Sequence, residues 1–172
     1  MIGLKRGTVK LLPHDKKWAS TFEKEKERLL GNLGKYIVDI QHVGSTSVPG
    51  LDAKPIIDMA AGLKRFKDAK KLIKPLDKLG YHFYREFQKQ ILFAKGPDAK
   101  RTHYLHVMRY NGAKWKTDKL FREYLASHPK RAKQYASLKK QLAKQHPDDR
   151  EKYSTGKDKF IKETIKLANN RF

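Results

Sequence analysis

The chain has 172 residues, 38% hydrophobic and 34% charged, with 40 Lys+Arg against 18 Asp+Glu and a formal net charge of +22. That length suits one domain with a sizeable core, and the absence of cysteine excludes disulfides, Cys-ligated zinc, iron–sulfur clusters and thiol catalysis. No apolar run approaches the ~18 residues that span a bilayer, and residues 1–7 lack the apolar core and cleavage site of a signal peptide, so a cytoplasmic protein with no membrane partner is expected.

Residues 8–11 alternate and stop at Pro13, which predicts a short first strand. Asp15 can cap a helix running to about Gly34, with Trp18, Phe22, Leu29 and Leu33 on one face and the charge run 23–28 on the other. Residues 37–43 alternate and are rich in β-branched residues, a strand. Residues 44–54 form a turn-rich connection. The nearly continuous apolar run 55–61 fits a strand buried on both faces. A helix is expected at 65–79, then a hairpin of 81–84 and 90–94, then a strand at 103–110 closed by the Asn111-Gly112 turn. Three helices follow. One starts near Thr117 or Asp118, one at Pro129, and one near Asp148 with Gly156 inside it. The pattern predicts one α+β domain over 1–172, a sheet-containing core at 8–113 and C-terminal helices at 114–172.

The charge is uneven. Residues 1–63 carry ten Lys+Arg and seven Asp+Glu (+3), and residues 64–172 carry thirty and eleven (+19). A basic surface attracts phosphate by counterion release. Lysines outnumber arginines thirty to ten, however, and a lysine-rich face is the ordinary composition of a solvated surface. A nucleic-acid partner is therefore compatible with the composition but not favoured by it.

The segment 42–58, His-Val-Gly-Ser-Thr-Ser-Val-Pro-Gly-Leu-Asp-Ala-Lys-Pro-Ile-Ile-Asp, carries the chemistry. A strand leads into Gly44-Ser45-Thr46-Ser47, whose small residues permit close backbone approach to an anion and whose hydroxyls and N–H groups can hold phosphate oxygens. Lys54 adds a point charge, and the next strand brings Asp58 back beside the turn, where a carboxylate can hold a divalent cation. The same spacing also suits a tight polar turn with Asp58 satisfied by backbone donors. Arg101, at the mouth of the 103–110 strand, has a guanidinium suited to gripping phosphate, and Lys95 lies just before the same turn. The aromatics Trp115, Tyr124 and Tyr135 fall on helical periodicity and are read as core.

This segment resembles the signature of the GrpB family (UPF0157), which is similar in fold to the nucleotidyltransferases. Trp18–Phe22, 101–107, 121–125, His128-Pro129 and 149–153 also resemble family landmarks, so the likeness covers roughly residues 8–168. It implies a mixed β-sheet flanked by helices, with the Gly-Ser turn at the nucleotide end. In nucleotidyltransferases that turn holds the triphosphate, and a carboxylate pair spaced two apart plus a third carboxylate hold two metal ions. Gly44-Ser45 and Asp58 match, which makes Asp58 the catalytic candidate. The chain departs from the pattern at Ala60, where the second acid should stand, and across 103–110, which contains none.

Histidines are the available replacements. His42 precedes the Gly-Ser turn, and His106 shares the strand parity of Tyr104, whereas His103 points the other way. Asp58, His42 and His106 are thus the candidate metal set, for magnesium or manganese before zinc. The functions expected are binding of a nucleotide or other phosphorylated small molecule at Gly44–Ser47, Lys54, Asp58 and Arg101, with metal-dependent nucleotidyl transfer resting on an incomplete acid set. The alternatives are a non-catalytic binding or scaffold module, which suits the likeness to domains fused to dephospho-CoA kinases, and RNA binding by the basic C-terminal helices. Oligomeric state is left open.

Overall fold

The computed structural model describes residues 1–170, so the last two residues of the expected 1–172 domain lie outside the description. Helix α1 (Lys17–Leu33) starts where Asp15 Oδ1 accepts from the Lys17 amide at 2.9 Å, and buries Trp18, Phe22, Leu29 and Leu33. Strands β1 (Ile37–Val43), β2 (Ile57–Leu63), β3 (Tyr81–Phe87), β4 (Gln90–Lys95) and β5 (His103–Arg109) form a mixed sheet of order β1-β2-β5-β4-β3 among the described residues. β2 and β5 run parallel at its centre, and the other pairs are antiparallel. β2 is buried on both faces, as its unbroken apolar run requires.

One face of the sheet (Ile57, Met59 and Ala61 of β2 with Leu105 and Val107 of β5) packs against α1 and forms the main core. The other carries Asp58, Ala60, Tyr104, His106 and Met108, because side chains alternate along each strand. Helices α3 (Ala113–Ser127), α4 (Pro129–Gln145), α5 (Arg150–Thr155) and α6 (Asp158–Asn169) gather on this second face. Trp115 of α3 seals one half of it against Val43, Ala60 and Met108. The other half is left as a cleft. No helix among the described residues is long and apolar enough to cross a membrane.

Four elements differ from the sequence reading. Residues 8–11 are not a strand: Val9 N donates to Pro147 O and Leu12 N to Ala53 O, so partners on separate segments leave no continuous ladder. The helix expected at 65–79 is a 3-10 turn (Phe66–Leu72) followed by α2 (Ile73–Lys78). Pro75 is the reason, since it has no N–H to continue an i−4 ladder and is tolerated only in a first turn. α3 starts at Ala113, directly after Asn111 (φ 55°) and Gly112, because Trp115 within a lysine-rich stretch anchors its first turn on Tyr110. The last helix breaks at Gly156 into α5 and α6, where a Cβ would stand 2.6 Å from Leu142 Cδ2.

A buried ionic knot fastens α1 to the sheet. Glu25 Oε1 accepts from Tyr81 Oη, Lys95 Nζ and Arg28 Nη1, each at 2.8 Å. Burial raises the Glu25 carboxyl, but the Lys95 and Tyr81 hydrogen bonds outweigh it and hold it below the ordinary value. A carboxyl lowered on folding stabilises above its unfolded pKa of about 4.3, and that contribution fades as pH falls through the folded value. Glu25→Ala is expected to cost about 2–4 kcal/mol in urea unfolding at pH 7, with the deficit shrinking below pH 4. A loss under 1 kcal/mol at pH 7 would show that the knot is ornamental.

Candidate functional site

The Gly-Ser turn leaves β1 directly after Val43, the residue paired with Asp58 on β2. Gly44 has φ 70°, and a Cβ there would lie 3.0 Å from Asp58 Oδ2, so only glycine passes. A 3-10 turn (Ser45–Ser47) follows. Ser47 Oγ donates to Gly44 O at 2.5 Å, and Thr46 Oγ1 pairs with His42 Nε2 at 2.9 Å. Those two hydroxyls hold the turn itself. Ser45 and Tyr135 both lie on the cleft wall.

Asp58 faces the cleft, opposite Val43 on β1 and beside Tyr104 on β5. His106 Nε2 stands 3.4 Å from Asp58 Oδ1, and His106 Nδ1 is 3.2 Å from Gln90 Oε1. Burial raises the Asp58 carboxyl, yet the hydrogen bond and charge of His106, with the charges of Lys54 and Lys157, bring it below its ordinary value.

His42 does not join them. It pairs with Met59, one residue out of step with the Val43–Asp58 pair, and therefore lies on the α1 face, stacked on Phe22 with ring centroids 4.7 Å apart. Burial pushes its imidazole down to about 4, with the Asp58 charge opposing. The expected set of Asp58, His42 and His106 is thus split across the sheet, and no three His, Asp or Glu side chains among the described residues gather as a metal site. Arg101 is diverted as well. Its guanidinium donates to Gly96 O and Asp98 Oδ1, both at 2.5 Å, bracing the β4–β5 loop outside the cleft.

Lys54 does reach the cleft, and the C-terminal helices bring cations that sequence reasoning passed over. Lys54 Nζ and Lys157 Nζ lie 5.2 and 4.5 Å from the centroid of the buried Tyr153 ring. Lys139, 1% exposed, donates to Asp52 O from behind Tyr135. Burial, reinforced by the charge of Lys157, depresses Lys54 and Lys139 to about 7; burial likewise takes Lys157 to about 8, although Asp58 and Asp158 oppose it. Arg150 is already engaged with Thr8 O, Lys5 O and Tyr104 Oη, and pins the N-terminal segment to the cleft rim. The cleft encloses about 920 Å³. The available signal for Lys157 was its place directly after Gly156, four residues beyond Tyr153.

Residues 8–167 match the family model described as GrpB protein. This chain belongs to the GrpB family. It is 38% identical to glutamate-rich protein GrpB of Alkalihalophilus pseudofirmus, over 96% of this chain and 98% of that one. Among solved structures, conserved protein GrpB from Enterococcus faecalis superposes with a TM-score of 0.85 at 34% identity, over 94% of this chain and 98% of that one. Cid1 in complex with the UTP analogue UMPNPP matches at a TM-score of 0.52 and 15% identity, over 77% of this chain and 42% of that one. That likeness shows a fold shared with Cid1.

Lysines depressed on folding cost stability wherever the unfolded chain binds more protons, so the free protein gains stability as pH rises from about 7 towards 10. Lys54→Met is therefore expected to raise the Tm of the ligand-free protein at pH 7, with a gain that fades by pH 10. A lower Tm at pH 7 would mean that the ammonium is satisfied where it stands.

Proposed function

We propose that this GrpB-family chain binds a nucleotide or another phosphorylated small molecule in the cleft, with a phosphate between the Gly44-Ser45 turn and the lysines. The observation that carries this reading is geometric: Lys54 and Lys157 line the same cleft as Gly44 and Ser45, with both ammonium groups against the Tyr153 ring. Half-buried cations that repel one another are costly to hold, and an anion relieves the cost by entering. The cleft is of the size that takes a small ligand. The Cid1 likeness supports a nucleotide only as an analogy of fold.

Catalysis of nucleotidyl transfer has weaker support. The strand positions that share a face with Asp58 hold Ala60, Tyr104 and His106, so the protein offers one carboxylate to a site that needs three. Asp58 with His106 supplies two ligands, short of the three that a catalytic zinc takes. A lone Mg²⁺ or Mn²⁺ on Asp58 would have to draw its remaining oxygens from ligand phosphate and water. The residues do not fit a two-metal centre, and the cleft is suited to binding.

Thermal shift tests it. ATP, CTP, GTP, UTP, pyrophosphate and inorganic phosphate are each added with and without Mg²⁺ or Mn²⁺. At a hundredfold excess over Kd a binder should raise Tm by about 5–10 °C, and Ser45→Ala and Lys54→Ala should reduce the shift. Absence of any shift at millimolar concentrations of every compound defeats the reading.

A further inference from the structure

Lys54 and Lys157 approach one cleft from different parts of the chain, Lys54 from the loop before β2 and Lys157 from the break between α5 and α6. Both ammonium groups are stationed against the same ring, Tyr153, which is itself fully buried. A cation over an aromatic face gains electrostatic attraction without using up its N–H donors. Neither ammonium has a carboxylate or carbonyl acceptor among the described residues. By contrast Arg150 at the cleft rim and Lys139 behind Tyr135 are committed to Thr8 O, Lys5 O and Tyr104 Oη and to Asp52 O. Lys54 and Lys157 are therefore held in place with their donors free.

The two free ammonium groups share the cleft with Asp58 and act on its charge. Asp58 stands alone among Ala60, Tyr104 and His106, and its charge is already answered by His106, Lys54 and Lys157. A divalent cation entering here would be repelled by two lysines and would find one carboxylate. A phosphate entering here would find up to six N–H donors and neutralise the repulsion.

Resting on the phosphate-binding reading above, we propose that Lys54 and Lys157 form a clamp that replaces metal ions, gripping anionic oxygens of the phosphorylated ligand directly so that binding needs no divalent cation. Tyr153 is the positioning residue of this clamp.

The test is isothermal titration calorimetry with pyrophosphate and ATP, each in EDTA and in millimolar Mg²⁺ or Mn²⁺. The expected result is the same Kd within about threefold in EDTA, with Lys54→Gln and Lys157→Gln each weakening binding about 10–100-fold and Tyr153→Leu weakening it less. Lys157→Arg, which keeps the charge, should retain more affinity than Lys157→Gln, and a circular-dichroism melt of each variant separates lost binding from lost folding. Titrations at pH 8 in buffers of different ionisation enthalpy should show net proton uptake. The groups facing the pair are Asp58 and His106 from the sheet, Lys139 from α4, Arg150 from α5 and Asp158 from α6. Binding seen only with Mg²⁺ or Mn²⁺ overturns the clamp and leaves the phosphate-binding reading standing. Binding in neither condition overturns both.

Discussion

The parallel pairing of β2 with β5 is the constraint from which the rest of the molecule follows. A parallel neighbour cannot be reached by a tight turn, so the chain leaves β2, passes through α2 and the β3–β4 hairpin, and returns to the centre of the sheet. The register Ile57–His103 through Leu63–Arg109 then decides every face at once. Ile57, Met59, Leu105 and Val107 go under α1 and build the core. Asp58, Ala60, Tyr104 and His106 go to the other side. A slip of one residue would put Asp58 into the core and Met59 into the cleft.

The two faces meet the same electrostatic problem with opposite balances. Under α1, Glu25 is a single anion surrounded by donors from Arg28, Tyr81 and Lys95, and its carboxyl is held ionised. In the cleft, Lys54 and Lys157 act on one strand carboxylate, Asp58, and both lysines are depressed. The first arrangement closes on itself and stabilises the fold. The second leaves cation donors open to a cleft, as binding sites commonly do at some cost in stability. The overall charge of +22 bears on neither, since both depend on a few partly desolvated groups where screening by solvent is weak.

Much of the fold was legible because its signals are local. The apolar spacing of Trp18, Phe22, Leu29 and Leu33, the alternation of 37–43, the hairpin and the start at Pro129 all appear where expected. The errors were local too, and traceable to single residues: Pro75 ended a ladder, Trp115 was hidden among lysines, and Gly156 broke a helix instead of weakening it. Strand parity even separated His106 from His103, because alternation is fixed within one strand.

By itself, the sequence determined the glycine–serine turn, the solitary Asp58 and the absence of the acids that should accompany it. Glycine at 44 is dictated by backbone φ and by the nearness of Asp58, and Ala60 cannot bind metal in any fold. Tertiary structure alone decided which cations meet that carboxylate. Parity within β1 cannot say which of His42 and Val43 opposes Asp58, because that depends on the register between strands. Arg101 was equally able, by its chemistry, to grip phosphate or the backbone of its own loop. Lys157 reached the cleft only because α5 and α6 fold back over the open half of the sheet, a contact between distant segments that packing creates and no local pattern encodes.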